Sequence, residues 1–304
     1  MKRAIWAAVL ALMLSLPFAA SATADPFDDA SAAYGSGDYA TALKLFRPLA
    51  DQGNAKAEFN LGFMYANGKG VTRDYAAAAA WYRLAADQGY AAAQFNLGFM
   101  YASGEGVTQD YAAVVKWYRL AADQGYAAAQ FNLGFMYANG EGAAQDYAAA
   151  AEWYRKAADQ GNAKAQFNLG FMYANGEGVT QDYAAAVAWY RKAADQGNAK
   201  AQYNLGVTYA NGYGVTQDYA AAAAWYRKAA DQGYAAAQSN LGLMYAQGFG
   251  VAQDYVQAHM WFDLAADGGS KEAIKNRNIA AEKMTLEQIM EAQKLASEWK
   301  PKTP

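Results

Sequence analysis

The stretch Phe-Asn-Leu-Gly-Phe-Met-Tyr-Ala-Asn-Gly-Glu-Gly, residues 131–142, recurs letter for letter at residues 167–178. Near-identical copies start at residues 59 and 95, and every copy ends in Gly-x-Gly. A phosphate-binding glycine loop follows a strand or carries Gly-Lys-Ser/Thr. Here a segment with helical periodicity comes first, and Val-Thr or Ala-Ala follows the last glycine. We therefore interpret the glycines as backbone joints of a repeated scaffold.

A period of 36 residues runs through most of the chain. Tryptophans mark it in equal steps from Trp81 to Trp261, and glycines do so from Gly53 to Gly269. Repeats of this length indicate stacked helical hairpins. The sequence therefore predicts an all-α solenoid with six full units over residues 53–268.

Each unit is predicted to contain two helices. In the first unit, apolar residues spaced by three and four predict a helix over residues 54–66, which Gly68 can end. Thr72 or Asp74 is the candidate N-cap of a second helix, from about Tyr75 to Asp87. The unit is thus a helix–turn–helix.

The two ends depart from the period. Residues 28–52 predict a further hairpin with a shortened turn, within an N-terminal region of residues 25–52. Residues 269–304 lose the pattern and gain charge, which predicts C-terminal capping helices and a tail. Thr285 and Gln288 have the spacing of a capping box. Terminal units of a stack need one polar face.

Together the units read A-[EQ]-x-N-L-G-x-x-Y-A-x-G-x-G-x-x-x-D-Y-x-x-A-x-x-W-[YF]. This pattern resembles the Sel-1-like repeat, a relative of the tetratricopeptide repeat with a longer loop between its helices. The N-terminal hairpin, residues 25–52, is similar to an ordinary tetratricopeptide unit. The resemblance implies a right-handed solenoid that acts as a non-catalytic scaffold or adaptor for protein–protein contact, often in bacterial signalling, envelope or host interaction.

An enzyme or binder that acts on β-lactams or cell-wall fragments is the alternative. Some secreted members of the family carry paired cysteines and have been described in that role, but this chain has no cysteine. Ser297 and Lys300 match S-x-x-K, yet the Ser-Asp-Asn and Lys-Thr-Gly partners of such enzymes are missing. No catalytic residue is predicted.

Metal and cofactor sites find no support in the sequence. His259 is the only histidine, so a zinc site lacks ligands, and we interpret His259 as a packed or surface residue. Glu105, Glu141 and Glu177 recur once per unit, but calcium needs more oxygen ligands within one loop. We predict that these three carboxylates lie in solvated turns.

A second stripe on the first helix of each unit is the candidate binding surface. In the first unit it consists of Phe59, Asn60, Phe63 and Asn67. The asparagine at its second place recurs in all six units, and its carboxamide can both donate to and accept from a peptide backbone. In the resembling tetratricopeptide repeat these places line the concave peptide groove. The counterparts predicted to bind a partner are Phe95, Asn96, Phe99, Phe131, Asn132, Phe135, Asn139, Phe167, Asn168, Phe171, Asn175, Tyr203, Asn204 and Asn240.

Packing is the alternative role for this stripe. The phenylalanines would then contact the next unit, and the asparagines would cap a neighbouring backbone group. Repetition does not decide between the two roles, because recently duplicated units inherit every residue.

The N-terminus predicts export. Lys2 and Arg3 precede an apolar run over residues 4–17, and small residues at Ala22 and Ala24 precede a cleavage position. That is the layout of a secretory signal peptide, and the apolar run is too short to span a bilayer comfortably. We expect residues 1–24 to be removed, and the protein to be periplasmic or secreted without an integral membrane span.

Charge narrows the class of partner. The chain has 25 Lys and Arg against 28 Asp and Glu, and the basic residues form no runs. A mildly acidic surface of this kind does not favour nucleic acid. The expected partner is therefore a protein or peptide.

Overall fold

The structure is a computed structural model that describes residues 25–302. Within that range the chain forms sixteen α-helices and no strand. The helices are α1 Pro26–Gly35, α2 Tyr39–Asp51, α3 Ala55–Asn67, α4 Tyr75–Asp87, α5 Ala91–Ser103, α6 Tyr111–Asp123, α7 Ala127–Asn139, α8 Tyr147–Asp159, α9 Ala163–Asn175, α10 Tyr183–Asp195, α11 Ala199–Asn211, α12 Tyr219–Asp231, α13 Ala235–Gln247, α14 Tyr255–Asp267, α15 Lys271–Ala281 and α16 Leu286–Glu298.

Consecutive helices pair into hairpins, and the hairpins form a stack. The six repeated units are α3 with α4 through to α13 with α14, and the second helix of each unit packs on the first helix of the next. We call the first helix of a unit its A-helix and the second its B-helix. The hairpin α1–α2 precedes the units, while α15 and α16 both pack on α14. The prediction of an all-α solenoid of helix–turn–helix units is confirmed.

Local capping explains where the helices begin and end. Asn54 caps α3 by accepting a hydrogen bond from the backbone N–H of Ala57 at 3.0 Å. Gly68 ends the same helix in the left-handed conformation, with φ 63°, which glycine adopts without steric cost. Asp74, rather than Thr72, caps α4 and accepts from the Ala77 N–H at 3.0 Å. The predicted helix bounds are therefore right to within one residue.

The pair of glycines in each loop joins two units as well as two helices. Gly140 and Gly142 have φ of 71° and 70°, so both positions favour glycine. A Cβ atom on Gly142 would lie 2.2 Å from the backbone oxygen of Tyr111, at the start of the preceding B-helix. The interpretation of these glycines as joints is confirmed, and the second one also fixes contact between units.

A third glycine sets the distance between the two helices of a unit. A Cβ atom on Gly134 would lie 2.8 Å from the ring of Tyr154. Tyr154 is buried, as is Leu133 beside the glycine. The tyrosine ring therefore occupies the space that a side chain at residue 134 would take.

An arginine and a tyrosine side chain link each unit to the next, and at some boundaries a tryptophan ring joins them. Arg119 of α6 donates a hydrogen bond to the hydroxyl of Tyr137 on α7, and its guanidinium lies 5.7 Å from the ring centroid of Trp153 on α8. Trp153 is only 7% exposed. Its ring thus fills space between units.

Buried amides form a second link. Gln130 of α7 donates its Nε2–H to the carbonyl of Ala122, at the end of the preceding B-helix, over 3.0 Å. Its own Oε1 accepts from Nε2 of Gln160 at 2.7 Å. Because the side chain of Gln130 is buried, satisfying its donor and acceptor avoids the cost of an unpaired polar group. Glu58 replaces this glutamine in the first unit.

The C-terminal helices turn the chain back along the stack. Thr285 and Gln288 form the predicted capping box at the start of α16. Beyond that helix, Trp299 contacts Trp261 with ring centroids 6.3 Å apart. The backbone N–H of Lys302 donates to the carbonyl of Asp231 at 2.7 Å. The tail is therefore bound against α12.

Of the helices within residues 25–302, none combines the length and the apolarity needed to cross a bilayer. The predicted signal peptide, residues 1–24, lies outside the described residues.

Candidate functional site: cavities between the A-helices

Four cavities of one kind lie along the stack. One of them, about 300 Å³, lies between α13, α14 and α15 and is lined by Leu243, Tyr255, Asn276, Ile279 and Lys283 among others. The other three lie between the successive A-helices α3, α5, α7 and α9, in the N-terminal half of the stack. Each of these three contains two phenylalanines, one from each of the two A-helices. A tyrosine from the start of the earlier B-helix and a glutamate from the later loop complete the lining, together with a buried tyrosine and an asparagine.

We name each cavity after its B-helix tyrosine. The Tyr75 cavity, about 240 Å³, is lined by Phe63, Tyr75, Tyr82, Asn96, Phe99 and Glu105 among others. The Tyr111 cavity, about 240 Å³, is lined by the equivalent Phe99, Tyr111, Tyr118, Asn132, Phe135 and Glu141. The Tyr147 cavity, about 250 Å³, is lined by Phe135, Tyr147, Tyr154, Asn168, Phe171 and Glu177.

The phenylalanines at the third place of the predicted stripe line these cavities. They are the most exposed members of the stripe's aromatic set. Their exposed fractions are 38% for Phe63, 53% for Phe99, 44% for Phe135 and 45% for Phe171. Large exposed aromatic side chains that line a concave space can bury apolar surface on binding.

Four asparagines at the second place, Asn96, Asn132, Asn168 and Asn240, adjoin the side chain of a buried tyrosine in the preceding unit. Burial raises the pKa of Tyr154 to about 12, and the neighbouring Asn168 side chain partly offsets the rise. Burial also raises the pKa of Tyr118, and the Asn132 side chain lowers it. Asn96 adjoins Tyr82 in the same way, and Asn240 adjoins Tyr226. Asn204 is half-buried. An amide and a phenol thus give the cavities hydrogen-bonding groups.

Asn60 differs from its counterparts. Its Nδ2 donates to the backbone carbonyl of Lys56 at 2.8 Å, within its own helix. The three described cavities do not include it.

The aromatic residues at the first place pack inside the solenoid. Phe131 is half-buried, and its ring centroid lies 5.8 Å from that of Tyr154 on the B-helix of the same unit. Phe59, Phe95, Phe167 and Tyr203 make the equivalent contacts. The structure therefore places these five side chains against the B-helix of their own unit, whereas the packing alternative named the next unit as their contact.

At the fourth place, asparagines serve the ends of the A-helices. Asn67 donates to the carbonyl of Phe63, and Asn139 to that of Phe135, each over 2.8 Å. Both also line a cavity. Asn175 is exposed at the end of α9.

Residues that the sequence interpretation missed complete the cavities. Glu105, Glu141 and Glu177, expected only to be solvated, line the three cavities in turn. The sequence offers one indication of this role. The place in the loop that holds these glutamates varies between units, with Lys69, Tyr213 and Phe249 in the others. An alternation of charge and aromatic character at one place is typical of a surface feature rather than a joint.

The other candidates for chemistry find no supporting geometry. Ser297 donates its hydroxyl hydrogen to the carbonyl of Lys294 at 2.8 Å, and no hydrogen bond joins it to Lys300 in the described part of the chain. His259 is buried in α14. Between residues 25 and 302, no group of three or more potential ligand side chains is placed to hold a metal ion.

Comparison with known proteins agrees with this geometry. The family model of the Sel1 repeat matches seven stretches, residues 32–54, 55–90, 91–126, 127–162, 163–198, 199–234 and 235–270. The chain belongs to the Sel1 repeat family. Members of this family are generally protein–protein interaction scaffolds. The match at 32–54 covers most of the N-terminal hairpin, the part of the chain whose sequence is similar to an ordinary tetratricopeptide unit.

Solved Sel1 repeat structures resemble the chain over most of its length. A Sel1 repeat protein from Oxalobacter formigenes is 34% identical, with TM-score 0.69, over 80% of this chain and 97% of that one. A protective antigen of uropathogenic Escherichia coli strains with an SLR fold is 31% identical, with TM-score 0.51, over 90% and 83%. The C-terminal part of a TPR repeat-containing protein from Cytophaga hutchinsonii, 17% identical with TM-score 0.50 over 82% and 98%, shares the fold alone. No curated protein matches.

Proposed function

We propose that this protein is a non-catalytic scaffold of the bacterial cell envelope, and that it holds a segment of a partner protein along its A-helices. The observation that supports this proposal is the recurrence of one cavity at three consecutive unit boundaries. A partner segment that follows the stack would meet the same set of aromatic, amide and carboxylate groups at each step.

The exposure of the cavity walls supports binding rather than packing. Phe99 and Phe135 each stand between two cavities and remain about half exposed. Burial of apolar surface contributes roughly 25 cal/mol per Å². Several such rings in a row would give a partner segment most of its affinity, and the asparagine amides would orient its backbone.

Site-specific photo-crosslinking tests this arrangement. A photoreactive phenylalanine analogue replaces Phe135 in the full chain, and Leu120 in a control. Leu120 is similarly exposed, on α6, and lines none of the three cavities. On irradiation of cells that export the protein, we expect a discrete adduct from residue 135 and none from residue 120. Equal adducts at both positions would refute a specific surface.

A variant without the cavity amides checks the same surface. Replacement of Asn96, Asn132 and Asn168 by alanine should abolish the residue-135 adduct while the helical circular dichroism stays unchanged. An undiminished adduct would show that the asparagines do not orient the partner.

The proposed location depends on the N-terminal sequence alone. We propose that cleavage after Ala24 releases the mature protein into the periplasm or the medium. N-terminal sequencing of the protein from periplasmic and culture fractions tests this proposal. A mature protein that retains Lys2 and Arg3 would refute it.

A further inference from the structure

The charge of the cavities limits what can enter them. Each of the Tyr111 and Tyr147 cavities contains one carboxylate, Glu141 or Glu177, and their other lining residues are aromatic, aliphatic or amide side chains. The carboxylates that form ion pairs within residues 25–302 are elsewhere, at Asp51, Asp231, Asp263 and Glu298. The two cavities therefore present negative charge without a basic partner from this chain.

Aromatic faces surround that charge. Phe99 and Phe135 wall the Tyr111 cavity, and the ring of Tyr111 is 42% exposed. The Tyr147 cavity has the equivalent walls, with Phe135 shared between the two. A cation within about 6 Å of an aromatic face is attracted to the ring, more strongly when it is desolvated. Carboxylate and aromatic rings together favour an ammonium or guanidinium group.

The N-terminal end of the stack already shows this pairing. Lys69 occupies the loop place of Glu141, and its ammonium lies 4.8 Å from the ring centroid of Tyr39, the counterpart of Tyr111. At the next boundary, Arg73 is not a lining residue of the Tyr75 cavity, but its guanidinium lies 5.4 Å from the ring centroid of Tyr75. At both of these boundaries a cation of the chain itself contacts the tyrosine ring.

The next two boundaries have no such residue. Gln109 and Gln145 replace Arg73, and each donates to the hydroxyl of the adjacent cavity tyrosine, at 3.3 and 3.0 Å. Glu141 and Glu177 replace Lys69. The two central cavities thus have the tyrosine face and the opposite charge, but no cation of their own.

We propose that the Tyr111 and Tyr147 cavities each receive one lysine or arginine side chain from a basic, extended segment of the partner. This proposal rests on the proposed function and specifies the chemistry of the segment. The two cavities lie at successive unit boundaries and share the wall of Phe135. An extended chain that advances about 3.1 Å per residue would therefore need basic side chains only a few residues apart to enter both.

Peptide binding to the full-length protein tests the proposal. The probe is a fluorescent peptide with lysine at every third position between proline and alanine, and the matched control has norleucine in place of lysine. We expect the lysine peptide to bind and the norleucine peptide to bind at least about tenfold more weakly, since norleucine lacks the positive charge that the carboxylate and the aromatic faces attract. A trimethyl-lysine peptide should retain binding, because the aromatic faces still attract its cation. Equal binding of lysine and norleucine peptides would overturn the proposal.

Variants locate the binding on the protein. Replacement of both Glu141→Gln and Glu177→Gln should weaken lysine-peptide binding about tenfold or more. Glu152→Gln removes a carboxylate from α8 that lies outside the cavities, and it should change binding less than twofold. If Glu152→Gln weakens binding as much as the two cavity substitutions do, the peptide responds to the net charge of the protein and not to the cavities, which would overturn the proposal.

Failure of this proposal and failure of the proposed function give different results. If photo-crosslinking at residue 135 captures a partner but the lysine peptide does not bind, the surface is correct and the cationic specificity is wrong. If neither occurs, both are wrong.

Discussion

The side-chain amide of Gln88 donates a hydrogen bond to a carboxylate oxygen of Glu58 over 2.7 Å. Five later units carry a buried glutamine where the first unit has Glu58. The first of these, Gln94, also donates to the carbonyl of Ala86, which an ionised carboxylate cannot do. Burial raises the pKa of Glu58, and the hydrogen bond from Gln88 opposes the rise. The first unit therefore has a weaker link to the N-terminal hairpin.

Glu58→Gln should stabilise the protein at neutral pH by about 1 kcal/mol, the usual net value of one hydrogen bond. Because the folded pKa of Glu58 is raised, the wild type loses stability as pH rises from the ordinary glutamate range through that pKa. The advantage of Glu58→Gln should thus be small in acid and increase toward neutral pH. Urea denaturation of both proteins over this range measures the difference.

The converse variant is the control. Gln94→Glu places a carboxylate at the equivalent position of the next unit, and it should destabilise the protein more at neutral pH than in acid. A constant difference between Glu58→Gln and wild type at every pH would contradict this account.

Two glycines with left-handed backbones should respond differently to alanine. Gly161 has φ 89° with open space around its Cβ direction, whereas a Cβ atom on Gly142 would lie 2.2 Å from the oxygen of Tyr111. Gly161→Ala should lower the free energy of unfolding by about 1–2 kcal/mol, because alanine is strained in the left-handed conformation. Gly142→Ala should cost about 1–3 kcal/mol more, since neighbouring backbone must also move. Urea midpoints compare the two, and equal losses would show that residue 142 does not fix contact between units.

The helix bounds could be predicted from the sequence because the signals that set them are local. Asn54 and Gly68 flank α3 directly, and Asp74 adjoins α4, so capping acts within one turn. The 36-residue period then repeats the same unit along the chain.

The cavities could not be predicted in the same way. Phe131 and Phe135 lie four residues apart on one helix, yet the first packs on Tyr154 and the second stays 44% exposed. Glu141 reaches the Tyr111 cavity because the loop glycine Gly142 passes over the preceding B-helix. These contacts join residues on different helices or loops, 23 positions apart for Phe131 and Tyr154 and 30 for Tyr111 and Glu141, and residue spacing along one helix does not reveal them.

His259 should make the C-terminal end of the stack sensitive to acid. Burial lowers the pKa of this histidine, the charge of Asp263 raises it, and the charge of Arg277 on α15 lowers it. The unfolded chain therefore takes up the proton first, so the protein loses stability as pH falls below about 6.5, by at most about 1.4 kcal/mol per pH unit.

His259→Leu tests that sensitivity. The variant should remove the part of the pH dependence that lies below about pH 6.5, while wild type and variant differ by a constant amount above it. Thermal melts at a series of pH values measure this. If the two curves stay parallel at every pH, His259 has the same pKa in the folded and the unfolded chain, and the prediction is wrong.

Phe131 and Phe135 should separate stability from binding. Phe131 packs on Tyr154, so Phe131→Ala should destabilise the protein by about 2 kcal/mol, less than the roughly 3–5 kcal/mol expected for a fully buried ring. Phe135 walls two cavities and is 44% exposed, so Phe135→Ala should cost less than about 1 kcal/mol. Its effect should instead appear in lysine-peptide affinity, which we expect Phe131→Ala to leave unchanged as long as the protein is folded. Urea denaturation and peptide titration on the same two variants measure both quantities. If Phe135→Ala destabilises the protein more than Phe131→Ala and leaves the peptide affinity unchanged, Phe135 is a packing residue. The exposed ring then does not contribute to binding in the cavities.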